Sequence, residues 1–201
     1  GAAALRFSVL MFRVLAMSDL RTIAGANPGG FRRDFRRLLN GGCLLICLTG
    51  LGFAYHAQFY LGLEPCPLCI FQRLALFGLG VIFLLATLHN PADWGAKVYG
   101  ALLGLSAAAG SGISARHVWL QHLPPEETPR CGPGLDYLLE TLPLSETVRE
   151  VLTGSGECAQ VDWTLLGLSM PQWTLLLFLG LGVVGVVGNW RQRNRRPSDL
   201  E

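Results

Sequence analysis

Two cysteines separated by two residues, with an arginine one helical turn further on, carry the clearest chemistry in this sequence. They lie in the stretch 64–73, EPCPLCIFQR, where a short polar loop meets an uncharged apolar run. A pair such as Cys66 and Cys69 can close and reopen a small disulfide loop, and a helix N-terminus favours the thiolate form. An arginine inside a membrane helix, here Arg73, is energetically costly and usually functional. The stretch therefore predicts redox chemistry at the edge of a membrane.

The composition is typical of a membrane protein. Of the 201 residues, 51% are hydrophobic and 15% charged, and the mean hydropathy is +0.40, which is too apolar for an ordinary soluble domain of this size. The net charge of +2 gives no sign of the strongly basic balance of a nucleic-acid-binding protein, and we expect no nucleic-acid partner. Arginines cluster instead before the first apolar run and after the last: Arg32, Arg33, Arg36, Arg37, Arg191, Arg193, Arg195 and Arg196.

Four apolar stretches are long enough to span a lipid bilayer. The pattern predicts a membrane domain over 38–190, with helices at about 38–57, 70–88, 98–118 and 172–190, a short loop at 58–69 and a long loop at 119–171. Residues 1–37 and 191–201 are expected to be terminal segments, and no role is predicted for 1–31. The predicted fold class is an all-α membrane protein, a bundle of four transmembrane helices with a short and a long periplasmic loop.

The distribution of arginine predicts the orientation. Four spans place both termini on one side, and basic flanks at both termini make that side cytoplasmic by the positive-inside rule. Both loops then face the periplasm of a bacterium, an oxidising compartment in which disulfides persist. The topology therefore places the four loop cysteines together on that side: Cys66, Cys69, Cys131 and Cys158.

Two cysteine pairs on facing loops suggest a relay in which a thiolate attacks a disulfide, forms a mixed disulfide and passes the oxidation on. A relay needs a terminal electron acceptor, and a lipid-soluble quinone suits a site at the membrane surface beside a buried cation. Arg73 is placed to hydrogen-bond a quinone carbonyl and to stabilise the negative charge that develops during reduction.

The residues alone leave alternatives open. The loop thiolates could form a zinc site, Cys131 and Cys158 could form a structural disulfide, and Arg73 could reach out to lipid headgroups. Cys43 and Cys47, four residues apart on one helix face, are better read as packing residues than as a redox or metal pair. Leucines and valines at helical spacing within 135–152 indicate either amphipathic helices on the membrane surface or a small globular loop core.

Residues 64–73 resemble the active loop of the disulfide bond formation protein B (DsbB) family, in which Cys-x-x-Cys is followed by an acidic residue or glutamine and then arginine. Residues 155–173 are similar to that family's second-loop end and entry to the fourth helix, and the resemblance covers roughly 35–190. It implies an inner-membrane enzyme, with both termini cytoplasmic, that reoxidises a periplasmic DsbA-like thioredoxin-fold oxidase. The electrons would pass to the membrane quinone pool, as ubiquinone or menaquinone.

The resemblance also implies a role for each cysteine of the loops. Cys131 would form the mixed disulfide with the partner, and Cys158 would be its companion. Cys66 and Cys69 would form the quinone-proximal disulfide, with Cys69 in contact with the quinone.

Two further residues are implied to bind the quinone, Arg73 and His117, and no metal site is expected. Gln72 stands where some members carry glutamate, with no expected loss of function. Three other hypotheses remain. They are a membrane thiol enzyme of the vitamin K epoxide reductase type, a non-enzymatic metal-binding or assembly protein that uses the cysteines as ligands, and a family member dedicated to one partner.

Overall fold

The computed structural model describes residues 28–91, 93–124, 126–127, 129, 132, 135–161 and 163–190, with only the backbone for 28–32 and 136. The predictions for residues 1–27, for the basic tail 191–201 and for Cys131 lie outside the described residues.

Helices account for nearly all of the described chain. The elements are α1 (Pro28–Leu61), α2 (Pro67–His89), α3 (Asp93–Gln121), α4 (Leu135–Thr141), α5 (Leu144–Thr153), a 3₁₀ turn (Gly156–Ala159), β1 (Thr164–Leu165), β2 (Leu168–Ser169) and α6 (Met170–Trp190). The two short strands pair antiparallel, Thr164 with Ser169 and Leu165 with Leu168. Among the described residues, α1, α2, α3 and α6 are long and apolar enough to cross a membrane. The predicted four-helix membrane bundle is thereby confirmed.

Local sequence explains where α2 begins and ends. Pro67 occupies its first turn, where the missing N–H costs nothing, and Cys66 is the N-cap residue. Asn90 ends the helix in a left-handed conformation (φ 38°), with its backbone N–H donated to the carbonyl of Ala86. The Cys-x-x-Cys pair therefore lies at the very start of a spanning helix, as the sequence predicts.

One apolar core fills the middle of the bundle, where α3 packs most extensively against α6. Its buried members are Cys43, Cys47, Leu76, Leu79, Phe83, Leu103, Ala107, Phe178 and Leu181. A Cβ atom at Gly110 would lie 2.4 Å from the Phe178 ring, so the small residue is what allows α3 to approach α6 so closely. Cys43 and Cys47 are buried within this core, which agrees with their interpretation as packing residues.

A second core lies beneath the long loop, at the end of the bundle where α1 and α3 finish and α2 and α6 begin. It buries Leu68 of α2, Leu120 of α3, Leu138 of α4, Val151 of α5 and Cys158. Thr147 of α5, itself buried, donates a hydrogen bond to the carbonyl of Leu138 over 3.1 Å. Residues 135–152 form two short helices whose buried side chains belong to a loop core packed over the Cys-x-x-Cys pair, while the exposed Leu139 and Leu144 leave a position on the membrane surface as a prediction.

Polar side chains join the helices at the opposite end of the bundle. The amides of Asn40 on α1 and Asn189 on α6 exchange hydrogen bonds of 3.3 and 3.1 Å. The buried Arg36 donates to the side-chain oxygen of Asn90 and to the carbonyl of Pro91. The helix α1 begins well before its uncharged stretch because this arginine faces the bundle interior and joins α1 to the end of α2.

Candidate redox site

The predicted site residues from α2 and α3 meet at one end of the bundle. The Sγ atoms of Cys66 and Cys69 and a ring nitrogen of His117 all lie within 4.8 Å of one another. Cys66 Sγ is 3.8 Å from His117 Nε2. Because α2 starts where α3 ends, the antiparallel packing of these two helices is enough to bring the histidine onto the cysteine pair.

Cys158 joins this cluster from the long loop. Its thiol is buried, interacts with the Cys66 sulfur and lies 3.7 Å from Ser155 Oγ. The interaction with Cys66 and, after it, burial raise the pKa of the Cys158 thiol above its ordinary value. Cys66 also interacts with Cys69, so Cys66 is the middle member of a row of three interacting sulfur atoms. The five cysteines that the structure describes are free thiols.

The position of Cys158 depends on how the loop is attached to α3. The Arg116 guanidinium donates hydrogen bonds to the carbonyls of Leu152 (3.2 Å) and Thr153 (2.8 Å), the last residues of α5, and lies 4.2 Å from the centroid of the Trp119 ring. A cation at a helix C-terminus satisfies carbonyls that have no partner within the helix. The end of α5 is thereby fixed two residues before the 3₁₀ turn that carries Cys158.

Arg73 lies one turn beyond Cys69 and is held by α1. It donates hydrogen bonds to the side-chain oxygen of Gln58 and to the carbonyl of Ala54, the latter over 3.1 Å, and it lies 5.3 Å from the centroid of the Tyr55 ring. The charged group is therefore fixed beside the cysteines by protein partners, which disfavours the interpretation that it reaches out to lipid headgroups.

Two cavities meet at Cys69. One is a groove of about 550 Å³ between α1, α2 and α6, with mostly apolar and aromatic walls that include Phe53, Leu76 and Trp173. The other is a polar cavity of about 540 Å³ beneath the long loop, which contains Cys66 and His117. Cys69, Arg73, Trp163 and Met170 line both. An apolar ring in the groove would thus contact a sulfur that is also connected to the polar side.

The walls of the groove fit a quinone. The aromatic and aliphatic side chains suit a flat ring with a hydrocarbon tail, while Cys69 supplies a sulfur and Arg73 a cation at one end. His117 is not among the described residues that line this groove. The structure places it in the polar cavity beside Cys66, so of the two residues implied to bind quinone only Arg73 faces the groove.

Sequence reasoning missed two contacts of this site. The Gln72 amide nitrogen lies 3.2 Å from His117 Nδ1, and Cys158 interacts with Cys66 rather than only sharing a side of the membrane with it. The first had a signal, since Gln72 follows Cys69 by three residues and lies on the same helix face. The second had none, because the helical spacing within 135–152 predicts helices but not where the long loop places Cys158.

The amino-acid sequence of this chain matches a known protein family. Residues 36–188 match the family described as disulfide bond formation protein DsbB. Proteins named "Disulfide bond formation protein B" are similar to this chain. That of Methylococcus capsulatus is 52% identical over 73% of this chain and 89% of its own length, and that of Nitrosococcus oceani is 51% identical over 70% and 83%. That of Acinetobacter baumannii is 50% identical over 74% and 87%.

Thiolate sulfur and imidazole nitrogen are also zinc ligands, so the side-chain types alone would suit either metal binding or disulfide exchange. The family match over most of the chain favours disulfide exchange. This match, together with the three neighbouring sulfur atoms beside the start of a spanning helix, shows that the chain belongs to the DsbB family of disulfide bond formation proteins. It is a multi-pass membrane thiol–disulfide oxidoreductase.

Proposed function

We propose that the chain reoxidises a periplasmic DsbA-like thioredoxin-fold oxidase at the bacterial inner membrane and passes the electrons to ubiquinone or menaquinone. The position of Cys69 carries the proposal, because this sulfur lies where the apolar groove meets the polar cavity that holds Cys66. The arginines that precede the first span and follow the last support an orientation with cytoplasmic termini.

The order of the sulfur atoms supports a route for the exchange. The partner's thiolate would attack Cys131, and Cys158 would leave as a thiolate. Cys158 would then attack Cys66, so that a Cys158–Cys66 bond forms, the Cys66–Cys69 bond breaks and its electron pair passes to Cys69. The interaction between Cys158 and Cys66 in the reduced protein supports this step, since the two thiols are already neighbours.

A second exchange would restore the starting state. The partner's second thiolate would attack the partner's sulfur in the mixed disulfide, so that the partner's own disulfide closes and Cys131 leaves as a thiolate. This thiolate would attack Cys158, the Cys131–Cys158 bond would re-form, and Cys66 would leave with the electron pair. Cys66 and Cys69 would then close their disulfide as two electrons pass to the quinone in the groove. The partner's two thiols lose two protons and the quinol gains two, so the net reaction balances as dithiol plus quinone to disulfide plus quinol.

The bound quinone would supply the two-electron acceptor, and the protein's own side chains would orient it. The apolar walls of the groove exclude water from the ring, and the Arg73 guanidinium offsets negative charge at the end nearest Cys69. Arg73 already gives hydrogen bonds to Gln58 and Ala54, so it needs little reorganisation to act as a fixed cation.

Quinone reduction by the purified protein, with a reduced Cys-x-x-Cys partner as electron donor, tests the proposal. We expect quinone absorbance to fall only when the partner is present. Arg73→Ala should raise the KM for quinone about tenfold or more, because a hydrogen bond from a charged group is lost. Arg37→Ala is the matched control, since Arg37 is exposed at the far end of the bundle. Absence of partner-dependent quinone loss, together with stoichiometric bound zinc, would contradict the proposal.

A further inference from the structure

His117 is a buried polar residue of the site. It does not line the groove, so binding of a quinone there does not explain its role. Its side chain is 2% exposed, and both ring nitrogens have protein partners. Nδ1 lies 3.2 Å from Gln72 Nε2, and Nε2 lies 3.8 Å from Cys66 Sγ. The ring therefore bridges a buried amide and the middle sulfur of the row.

These two contacts determine where the ring carries its proton. An amide nitrogen only donates hydrogen bonds, so His117 Nδ1 must accept with its lone pair. A neutral imidazole then carries its single proton on the other nitrogen. The Nε2–H group consequently points at the Cys66 sulfur and can donate a hydrogen bond to it.

We propose that His117 acts on Cys66 rather than on the quinone, and that Gln72 is a positioning residue that holds the ring in the tautomer that donates Nε2–H to the Cys66 sulfur. Gln72 also lines the groove, so it stands between the groove and the histidine. The inference rests on the proposed function, because the donor matters when Cys66 carries charge during the relay.

The relay gives Cys66 a negative charge at one point. When the Cys131 thiolate attacks Cys158, the Cys158–Cys66 bond breaks and the electron pair remains on Cys66. The Nε2–H group then faces a thiolate and stabilises it until Cys66 re-forms its bond with Cys69. His117 neither gains nor loses a proton in this step, so it acts as a fixed donor and not as a general base.

Nitrogen-15 spectra of the reduced protein with labelled histidine test the tautomer. His117 should show the proton on Nε2. His122 is an internal reference of opposite type, because its Nδ1 lies 2.8 Å from the Val118 carbonyl, which only accepts and so requires the proton on Nδ1. Gln72→Met keeps the side-chain length without a donor and should remove the fixed tautomer. Gln72→Glu replaces the donor by an acceptor and should move the proton to Nδ1.

A kinetic measurement without quinone tests whether the His117 Nε2–H group acts on the Cys66 sulfur. In a reduced Cys69→Ser background, mass spectrometry follows the alkylation of Cys66 at neutral pH. His117→Leu and Gln72→Met should slow it about tenfold, the effect of losing one hydrogen bond to a charged atom. His117→Gln, whose amide N–H can reach the position of Nε2, should restore much of the rate.

The outcomes separate this inference from the proposed function. Unchanged alkylation in His117→Leu, or a wild-type His117 protonated on Nδ1, would overturn the inference even if quinone is reduced normally. A raised quinone KM in His117→Leu, with alkylation unaffected, would return His117 to the quinone-binding role that the family resemblance implies. Failure of quinone reduction in the wild type would contradict the proposed function alone, since neither measurement above uses a quinone.

Discussion

At the scale of single residues, the surroundings of the three described loop sulfurs differ and set their roles. Cys69 lies in the first turn of α2 and faces the apolar groove. Cys66 contacts both Cys69 and Cys158, and its sulfur lies 3.8 Å from His117 Nε2. Cys158 is buried beneath the long loop and held as a thiol by its contact with Cys66. One residue type thus supplies a terminal, a central and a loop-side sulfur.

The relay predicts that each of its four cysteines is essential. Cys66→Ser, Cys69→Ser, Cys131→Ser and Cys158→Ser should each abolish partner-dependent quinone reduction, because a hydroxyl cannot form the next disulfide. Cys47→Ala is the control, since Cys47 is fully buried in the bundle core and should affect stability rather than turnover. Turnover close to wild type in Cys131→Ser would remove the two-pair relay.

The raised pKa of Cys158 predicts how the stability of the reduced protein depends on pH. A thiol whose pKa is higher in the folded state than in the unfolded state stabilises the fold fully below its unfolded pKa of about 8.5. This contribution is lost as pH rises above that value, at up to about 1.4 kcal/mol per pH unit. The thermal midpoint of the reduced protein should therefore fall between about pH 8 and about pH 10.

Cys158→Ala is the comparison for this pH dependence. It lacks the titrating thiol, so its midpoint should fall less than that of the wild type over the same range, with Cys66 and Cys69 present in both proteins. Parallel curves for the two proteins would show that the Cys158 thiol does not titrate differently on unfolding.

At the scale of elements, the site depends on how the loop core is attached to the ends of α2 and α3. Arg116 fixes the end of α5, and Gly154 makes the turn into the 3₁₀ segment with φ 86°. A Cβ atom at Gly154 would lie 2.3 Å from Leu120 Cδ1. Both the backbone conformation and the close approach therefore require glycine between α5 and Cys158.

Gly154→Ala should displace the 3₁₀ turn and slow the exchange between Cys158 and Cys66. Gly167→Ala is a matched control, because Gly167 also has positive φ (80°) but nothing within 4 Å of its Cβ position. The rate at which the Cys66–Cys158 disulfide forms on oxidation, in a Cys69→Ser background, is the measurement. Equal effects of the two substitutions would assign the loss to backbone strain and not to the contact with Leu120.

The packing of α3 against α6 gives a second prediction for elements. Gly110→Ala should destabilise the bundle by about 1–3 kcal/mol, because its methyl group would overlap the Phe178 ring. Gly112→Ala, two residues further along α3 with nothing within 4 Å, should have little effect. Thermal unfolding in detergent compares the two, and an equal change of stability in both variants would show that the contact with Phe178 does not decide the effect at Gly110.

At the scale of the whole molecule, chemistry and anchoring lie at opposite ends of the bundle. The sulfur atoms, Arg73 and both cavities lie where the long loop closes over α2 and α3. Arg36 and the Asn40–Asn189 amide pair join the helices at the other end. The bundle is thus asymmetric along its axis, and the function requires that the sulfur end faces the compartment of the partner.

Reporter fusions test the orientation of the whole molecule. Alkaline phosphatase, which is active only outside the cytoplasm, should be active when fused after Glu127 in the long loop and inactive after Ser198 in the tail. The physical reason is the arginine excess next to the termini, which resists translocation. The reverse pattern would place the relay on the cytoplasmic side and would contradict a periplasmic partner.

The sequence by itself determined the four spans, the position of Cys66 and Cys69 at a helix start, and the cation Arg73 within the second span. These features are local, because span length, the N-terminal proline and a charge within an apolar run are properties of consecutive residues. It also identified Cys158 through the predicted topology and His117 through the family resemblance, but not what either of them contacts.

Only the tertiary structure decided which residues touch. The contact of Cys158 with Cys66 depends on how the long loop folds over α3, and the contact of His117 with Gln72 depends on the rotation of α3 against α2. The groove beside Cys69 needs α1, α2 and α6 together. Periodicity within one segment fixes a helix and its faces, whereas the partner of each face is set by the packing of all the segments at once.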